Sequence, residues 1–196
     1  MPSPHDEAAM RLALDQAQNA WLVGEVPVGA VVFRDTPAGR QVVATGYNRP
    51  VTDHDPTAHA EIVALRHAAH LLGNYRLPEC EVFVTLEPCA MCAMALLHAR
   101  VKRVVYGARD PKAGAAGSVI DVFGTAALNH HTAVDGGVLA DAAGEVLRSF
   151  FAERRERYRQ RRAAGAPSVM EGDVAIEPIP AGESLEMDPL NDKAER

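Results

Sequence analysis

Three residues of this 196-residue chain have the types and spacing of metal ligands. They are His59, in His59-Ala60-Glu61, and the pair Cys89 and Cys92, in Pro88-Cys89-Ala90-Met91-Cys92. One imidazole and two thiols make a donor set suited to zinc. Three residues apart on the first turn of a helix, the two sulfurs share a face. His59 is expected at the start of another helix, and both helices are expected to begin just after strands. The carboxyl ends of strands in an open α/β sheet converge on one crevice, which brings the three donors around one point.

Counting donors indicates what the metal is for. Structural zinc sites close with four protein ligands, whereas catalytic ones keep three and leave a position for water. Cys80 precedes a strand and is expected at its far end, as a small buried hydrophobe. His54, His67, His70 and His98 fall on other helical faces or in the approach loop. Three donors plus water is the favoured reading; a structural zinc or a redox C-x-x-C pair is the alternative for the cysteines alone. Two thiolates and a neutral imidazole cancel the metal charge, so a base beside the water would help bring its pKa from ~9 toward ~7. Glu61, two residues after His59 on the same turn, can take the water's proton and pass it to a leaving nitrogen, a service worth roughly 10²–10⁴-fold.

The elements that must position these residues follow from periodicity. Glu7 to Val23 carries Ala9, Leu12, Ala13, Ala20 and Trp21 at helical spacing. Val28 to Phe33 and Gln41 to Tyr47 read as strands joined by a turn at Asp35 to Gly39, and Ala58 to Leu72 as a helix with Thr57 as N-cap. Glu81 to Leu86 is a strand, Pro88 opens a helix to His98, and Lys102 to Ala108 is a strand leading into a Gly/Ala-rich loop from Arg109 to Ser118. A short strand near His131 to Val134 and a long helix from Ala140 to Arg162 complete the pattern. The alternation predicts an α/β fold with parallel strands and helices on both faces.

Charge divides the chain in two. The net charge of -6 resides in residues 163–196, where eight acidic side chains meet two basic ones, while residues 1–162 are neutral. That tail has four prolines and no aromatic residue, a composition expected to stay disordered. Residues 145–162 hold seven arginines against three glutamates, and Phe150, Arg154, Arg157 and Arg161 recur at a spacing that gives one basic face. Such a face can hold phosphates and stack bases; the alternative is a solvated Arg/Glu face packing its stems on the core. No uncharged stretch approaches the ~18 residues of a membrane span. The N-terminus lacks a signal-peptide pattern, and three cysteines suit a reducing compartment, so a cytoplasmic address is expected.

The His-x-Glu…Pro-Cys-x-x-Cys pattern resembles the zinc-dependent nucleobase deaminases. Further stretches resemble the bacterial tRNA-specific adenosine deaminases over residues 8 to 162: Val26-Pro27-Val28-Gly29-Ala30, Asn48-Arg49-Pro50, Asp55-Pro56-Thr57-Ala58, Asn74-Tyr75-Arg76-Leu77, Val84-Thr85-Leu86-Glu87, Gly107-Ala108-Arg109-Asp110 and Gly114-Ala115-Ala116-Gly117-Ser118. The resemblance implies a three-layer cytidine-deaminase-like fold with a five-stranded mixed sheet. It also implies one zinc per subunit, a homodimer, and conversion of adenosine to inosine at the wobble position (34) of a tRNA anticodon loop. It makes His59, Cys89 and Cys92 the zinc ligands and Glu61 the proton shuttle. Asn48 and the Ala60 N–H become base contacts, and Asp110, Phe150, Arg154 and Arg157 belong to segments approaching the RNA. The Cys89–Ala99 helix becomes part of the dimer interface. The first hairpin turn looks longer than in the family, and the acidic tail is extra. A deaminase of free guanine or cytosine, and a non-catalytic zinc-containing RNA-binding subunit, are the competing readings.

Overall fold

The computed structural model describes residues 3–164. The tail expected beyond residue 162 therefore lies almost wholly outside the described residues. Helices α1 (Pro4–Leu22), α2 (Ala60–Leu72), α3 (Ala90–His98) and α4 (Ala140–Ala163) flank five strands: β1 (Gly29–Thr36), β2 (Gly39–Tyr47), β3 (Cys80–Leu86), β4 (Arg103–Ala108) and β5 (Ala133–Gly136). The sheet order is β2-β1-β3-β4-β5. β1 runs antiparallel to both β2 and β3, while β3, β4 and β5 are parallel, so the sheet is mixed.

Period-2 alternation divides the core between the two faces. Ala30, Val32, Val82, Val84, Val104 and Tyr106 pack under α2 and α3. Val31, Phe33, Phe83 and Val105 pack against Ala9, Met10 and Ala13 of α1, and α4 lies on that same side, against β4 and α1.

Small residues let two helices lie directly on strands. A Cβ at Gly29 would fall 2.1 Å from the Ala13 carbonyl, and one at Gly46 would fall 2.5 Å from the Ala60 carbonyl. The buried stripe of α1 is accordingly Ala9, Ala13, Ala17 and Ala20 with Met10, and Leu12, expected on that face, is 42% exposed. The first hairpin is also tighter than expected. Pairing extends to Thr36 opposite Gly39, leaving Pro37-Ala38 as a two-residue loop, with Gly39 at φ +107° and a bulge at Val32/Phe33.

Beneath the sheet, Asp6 closes a capping box with Ser3 and accepts a bidentate pair from Arg103 at 2.8 and 3.2 Å. The Arg103 guanidinium holds this buried carboxyl down at about 2. A carboxyl depressed in the folded state adds stability that is present above its unfolded pKa and lost as pH falls through the folded one. Asp6→Asn is therefore expected to cost about 2 kcal/mol near neutral pH, with the deficit closing between about pH 4 and about pH 2. Urea denaturation of both proteins across that range checks it, and a deficit independent of pH would assign the loss to packing.

Candidate metal centre and its surroundings

β2, β3 and β4 all end at the same edge of the sheet, because β1 enters antiparallel between β2 and β3. The chain leaves β3 at Leu86 and β4 at Ala108, which are paired neighbours, so the cysteine turn and the 109–118 loop emerge side by side. From β2, residues 48–59 intervene before α2 begins, two residues more than the expected helix start at Ala58 would leave. That connection is folded back on itself by Arg49 N–H donating to the Ala58 carbonyl at 2.9 Å. Thr57, expected as N-cap, instead donates its N–H and hydroxyl to Asp55 Oδ1, each at 2.7 Å.

The N-cap of α2 is His59 and that of α3 is Cys89, and neither side chain caps its helix. Pro88 thus precedes the cap rather than occupying the first helical position. Positions usually given to Ser or Asp carry donors that turn inward. Cys92, on the first turn of α3, completes the set. The three ligand atoms lie within 4.8 Å of one another, and among the described residues no further His, Cys, Asp or Glu joins the group. His59 Nδ1 is 3.7 Å from Cys89 Sγ and 3.5 Å from Cys92 Sγ. Tetrahedral zinc, with bonds of about 2.3 Å to sulfur and about 2.0 Å to nitrogen, requires an S···N edge of about 3.6 Å. The donors fit the ion.

Electrostatics argue the same way. Hydrogen bonds from Cys92 and from His59 hold the Cys89 thiol down at about 4. The pairing with Cys89, burial and the Glu61 charge push Cys92 up, and contact with Cys89 raises His59. These shifts leave one thiolate and one thiol. Both sulfurs could be thiolates beside a carboxylate only with a compensating cation, which two helix N-termini, each like roughly half a positive charge, supply only in part.

Glu61 stands on the same first turn as His59 and is 4% exposed. Burial pushes its carboxyl up to about 6, against the pull of its own backbone hydrogen bond and of His59, and its side chain reaches Cys92. His59 and Cys89 are half-buried, whereas Cys92 is buried, so the pocket has one accessible side. The two expected base contacts meet each other: Asn48 Oδ1 accepts the Ala60 N–H at 2.9 Å. That bond occupies the Ala60 donor and fixes the Asn48 amide at the start of α2.

The remaining candidates occupy two other places. Asp110 shapes the 109–118 loop, accepting the Lys112 and Ala113 amides on Oδ1. Phe150, Arg154 and Arg157 lie on α4, in the layer opposite α2 and α3. Phe150 is 4% exposed, edge-on to Trp21, so it anchors the helix instead of lining a basic surface; Phe151 and Tyr158 are the exposed aromatic residues of α4. Arg154 donates to the Gly24 carbonyl and lies over the Phe150 ring, and Arg157 pairs with Glu153 on the surface.

Sequence reasoning passed over two buried carboxylates beside the site. Glu25 accepts the Thr52 amide and hydroxyl at 2.7 and 2.8 Å, tying down the 48–59 connection. Glu87 does the same for the 109–118 loop. An acid directly after a continuous apolar strand was the available signal for Glu87.

Known proteins are similar to this chain. Residues 3–108 match the family described as the cytidine and deoxycytidylate deaminase zinc-binding region. The tRNA-specific adenosine deaminase of Haemophilus influenzae is 48% identical over 154 residues, covering 79% of this chain and 87% of that protein. The tRNA(Ile)-lysidine synthase of Deinococcus deserti is 50% identical over 151 residues, 77% of this chain but 28% of that longer protein. A solved structure from studies of A-to-I editing by tRNA:A34 deaminases at the wobble position superposes with a TM-score of 0.67 at 43% identity, covering 71% of this chain and 99% of that one. By these likenesses, together with the zinc-fitting centre, the chain belongs to the tRNA-specific adenosine deaminase family.

Proposed function

We propose that this protein hydrolytically deaminates adenosine to inosine at wobble position 34 of tRNA. One zinc per subunit is held by His59, Cys89 and Cys92. The observation that carries this reading is a three-donor centre of tetrahedral dimensions with a buried carboxylate, Glu61, alongside. Zinc, when bound, activates a water for attack on an sp² ring carbon. Glu61 takes the first proton of this water and delivers it to the ring nitrogen. It then takes the proton of the hydroxyl now on the ring carbon and delivers it to the amino group, so that the C–N bond breaks with release of ammonia and the ring carbon keeps the oxygen as a carbonyl. A carboxyl pushed up to about 6 is ionised enough to accept that proton near neutral pH and acidic enough to return it. Asn48, its Oδ1 engaged by Ala60, keeps its amide group to orient the base.

The substrate is a nucleotide already in a single-stranded loop, for which extrusion costs less than from a duplex. The relatives' tRNA substrates and the exposed arginines of α4 support that choice over a free base. The buried Glu61 argues against a purely structural zinc, which needs no base beside it. The functional unit is a deaminase domain of residues 1–162. Met91, Met94 and Ala95, only partly buried on the protomer, support a homodimer through α3. No helix among the described residues is long and apolar enough to cross a membrane, and its three free cysteines suit a cytoplasmic address.

Glu61→Ala is expected to lower inosine formation in the anticodon loop by about 10²–10⁴-fold with zinc content unchanged. Inosine is read as A-to-G changes on sequencing total tRNA incubated with the protein. A variant near wild-type rate sinks the mechanism, and activity on guanine or cytosine but not tRNA selects the free-base alternative.

Cys92→Ala is expected to lose zinc on purification, measured by atomic emission. Because zinc binds the native state, stripping it from wild type should lower stability by about 4 kcal/mol relative to zinc at a thousand times its Kd. Retention of stoichiometric zinc by Cys92→Ala would exclude that sulfur as a ligand.

A further inference from the structure

Glu87 is 2% exposed and takes no part in the donor set. Its own N–H continues the β3–β4 ladder by donating to the Ala108 carbonyl at 2.8 Å. The carboxylate accepts the Asp110 amide at 3.1 Å on one oxygen, the Ala116 and Ser118 amides at 2.9 and 3.1 Å on the other, and the Ser118 hydroxyl. Every donor belongs to the 109–118 loop. Both carboxyl oxygens are thus engaged by donors from one loop, which fixes the side chain and the loop to each other.

The same loop touches the cysteine turn. Ala115 N–H donates to the Pro88 carbonyl at 2.8 Å, and Gly114 bridges Cys89. Space there is fully used: a Cβ on Gly114 would fall 2.5 Å from the Glu87 carboxyl carbon and 2.6 Å from the Asp110 carbonyl. Arg109 and Lys112, on either side of the Asp110 tether, are both exposed.

We propose that Glu87 is a positioning residue: its carboxylate locks the 109–118 loop against the Cys89 turn, so that Arg109 and Lys112 meet the phosphates flanking the target nucleotide. The inference rests on the RNA-deaminase reading and deepens it. Glu87 touches neither substrate nor metal; it converts a loop of small residues into a fixed cationic rim. A free loop would bring the same two charges with a larger ordering cost on binding.

The test compares Glu87→Ala, Ser118→Ala and Gly114→Ala with wild type and with the Arg109→Ala/Lys112→Ala double variant, using a synthetic anticodon stem-loop. Glu87→Ala and Gly114→Ala are expected to weaken RNA affinity about tenfold while kcat at saturating RNA stays within about threefold. Ser118→Ala, which removes one donor, should fall between them and wild type. Zinc content is unchanged throughout. The slope of log Kd against log salt should drop by about 1.4 in Glu87→Ala, the value for two lost single-strand phosphate contacts, and match the double variant. A merely structural role would leave that slope alone.

Unchanged affinity, an unchanged salt slope, or RNA binding that falls only in step with lost zinc each overturn the proposal. Should Glu87→Ala fail to fold, Ser118→Ala carries the same criteria. Wild type that binds the RNA and never yields inosine overturns the deaminase reading and leaves this one standing.

Discussion

The structure is organised around a donor set that would carry an excess of negative charge on binding a metal. Two sulfurs and a carboxylate converge within a few ångströms, and that arrangement holds only if positive charge is brought to meet it. The N-termini of α2 and α3 are aimed there, and their cap positions are occupied by His59 and Cys89, whose side chains leave the helices uncapped. A Ser or Asp cap would contribute ~1 kcal/mol to each helix. That stabilisation is forgone at both, and a divalent cation held by the three donors would more than replace it. The dependence extends into the fold. α2 can start where it does because Gly46 lets its first turn lie on β2, and Cys89 can face it because β1 separates β2 from β3 and sets the two helix starts at one sheet edge.

The connections that frame the pocket solve a related problem. Residues 48–59 and 109–118 contain little regular structure, so their amides need partners supplied from elsewhere. Buried or half-buried carboxylates provide them: Glu25 for Thr52, Asp55 for Thr57, Glu87 for Asp110, Ala116 and Ser118. Bonds to a charged acceptor contribute roughly 1.5–3 kcal/mol each, more than neutral ones. The loops are thereby fixed by backbone donors on buried or half-buried acceptors rather than by regular structure.

Much of this was legible in the residues. The grouping of His59, Cys89 and Cys92, strand and helix existence, and a carboxylate close to those donors follow from spacing, because period and donor chemistry are local properties. What escaped was relational. Thr57 has N-cap chemistry, but the chain folds back there and Asp55 takes its donors, moving the cap to His59. Leu12 fits a helical stripe, yet close approach at Gly29 selects the alanine side of α1. Phe150 has the right spacing for an aromatic on a basic face, and Trp21, distant in sequence, buries it. Glu87 stood inside a quoted motif with no visible role, since its partners lie 23 to 31 residues downstream.

The fate of Phe150 changes how α4 must work. With its inner face fixed by Trp21 and by Arg154 on the Gly24 carbonyl, the helix stands as a rigid rod whose outer surface is charged. Its ion pairs, Glu145 with Arg148, Glu153 with Arg157 and Glu156 with Arg159, join neighbouring turns and are solvent-exposed. Exposed pairs at this spacing stabilise a helix by only ~0.3–0.5 kcal/mol. A phosphate therefore takes such an arginine at little cost, while the glutamates keep the unliganded helix from being a uniform cation. The seven arginines of residues 145–162 are followed in sequence by the eight acids of residues 163–196. The two charge blocks are opposite in sign, and the overall charge of -6 describes neither.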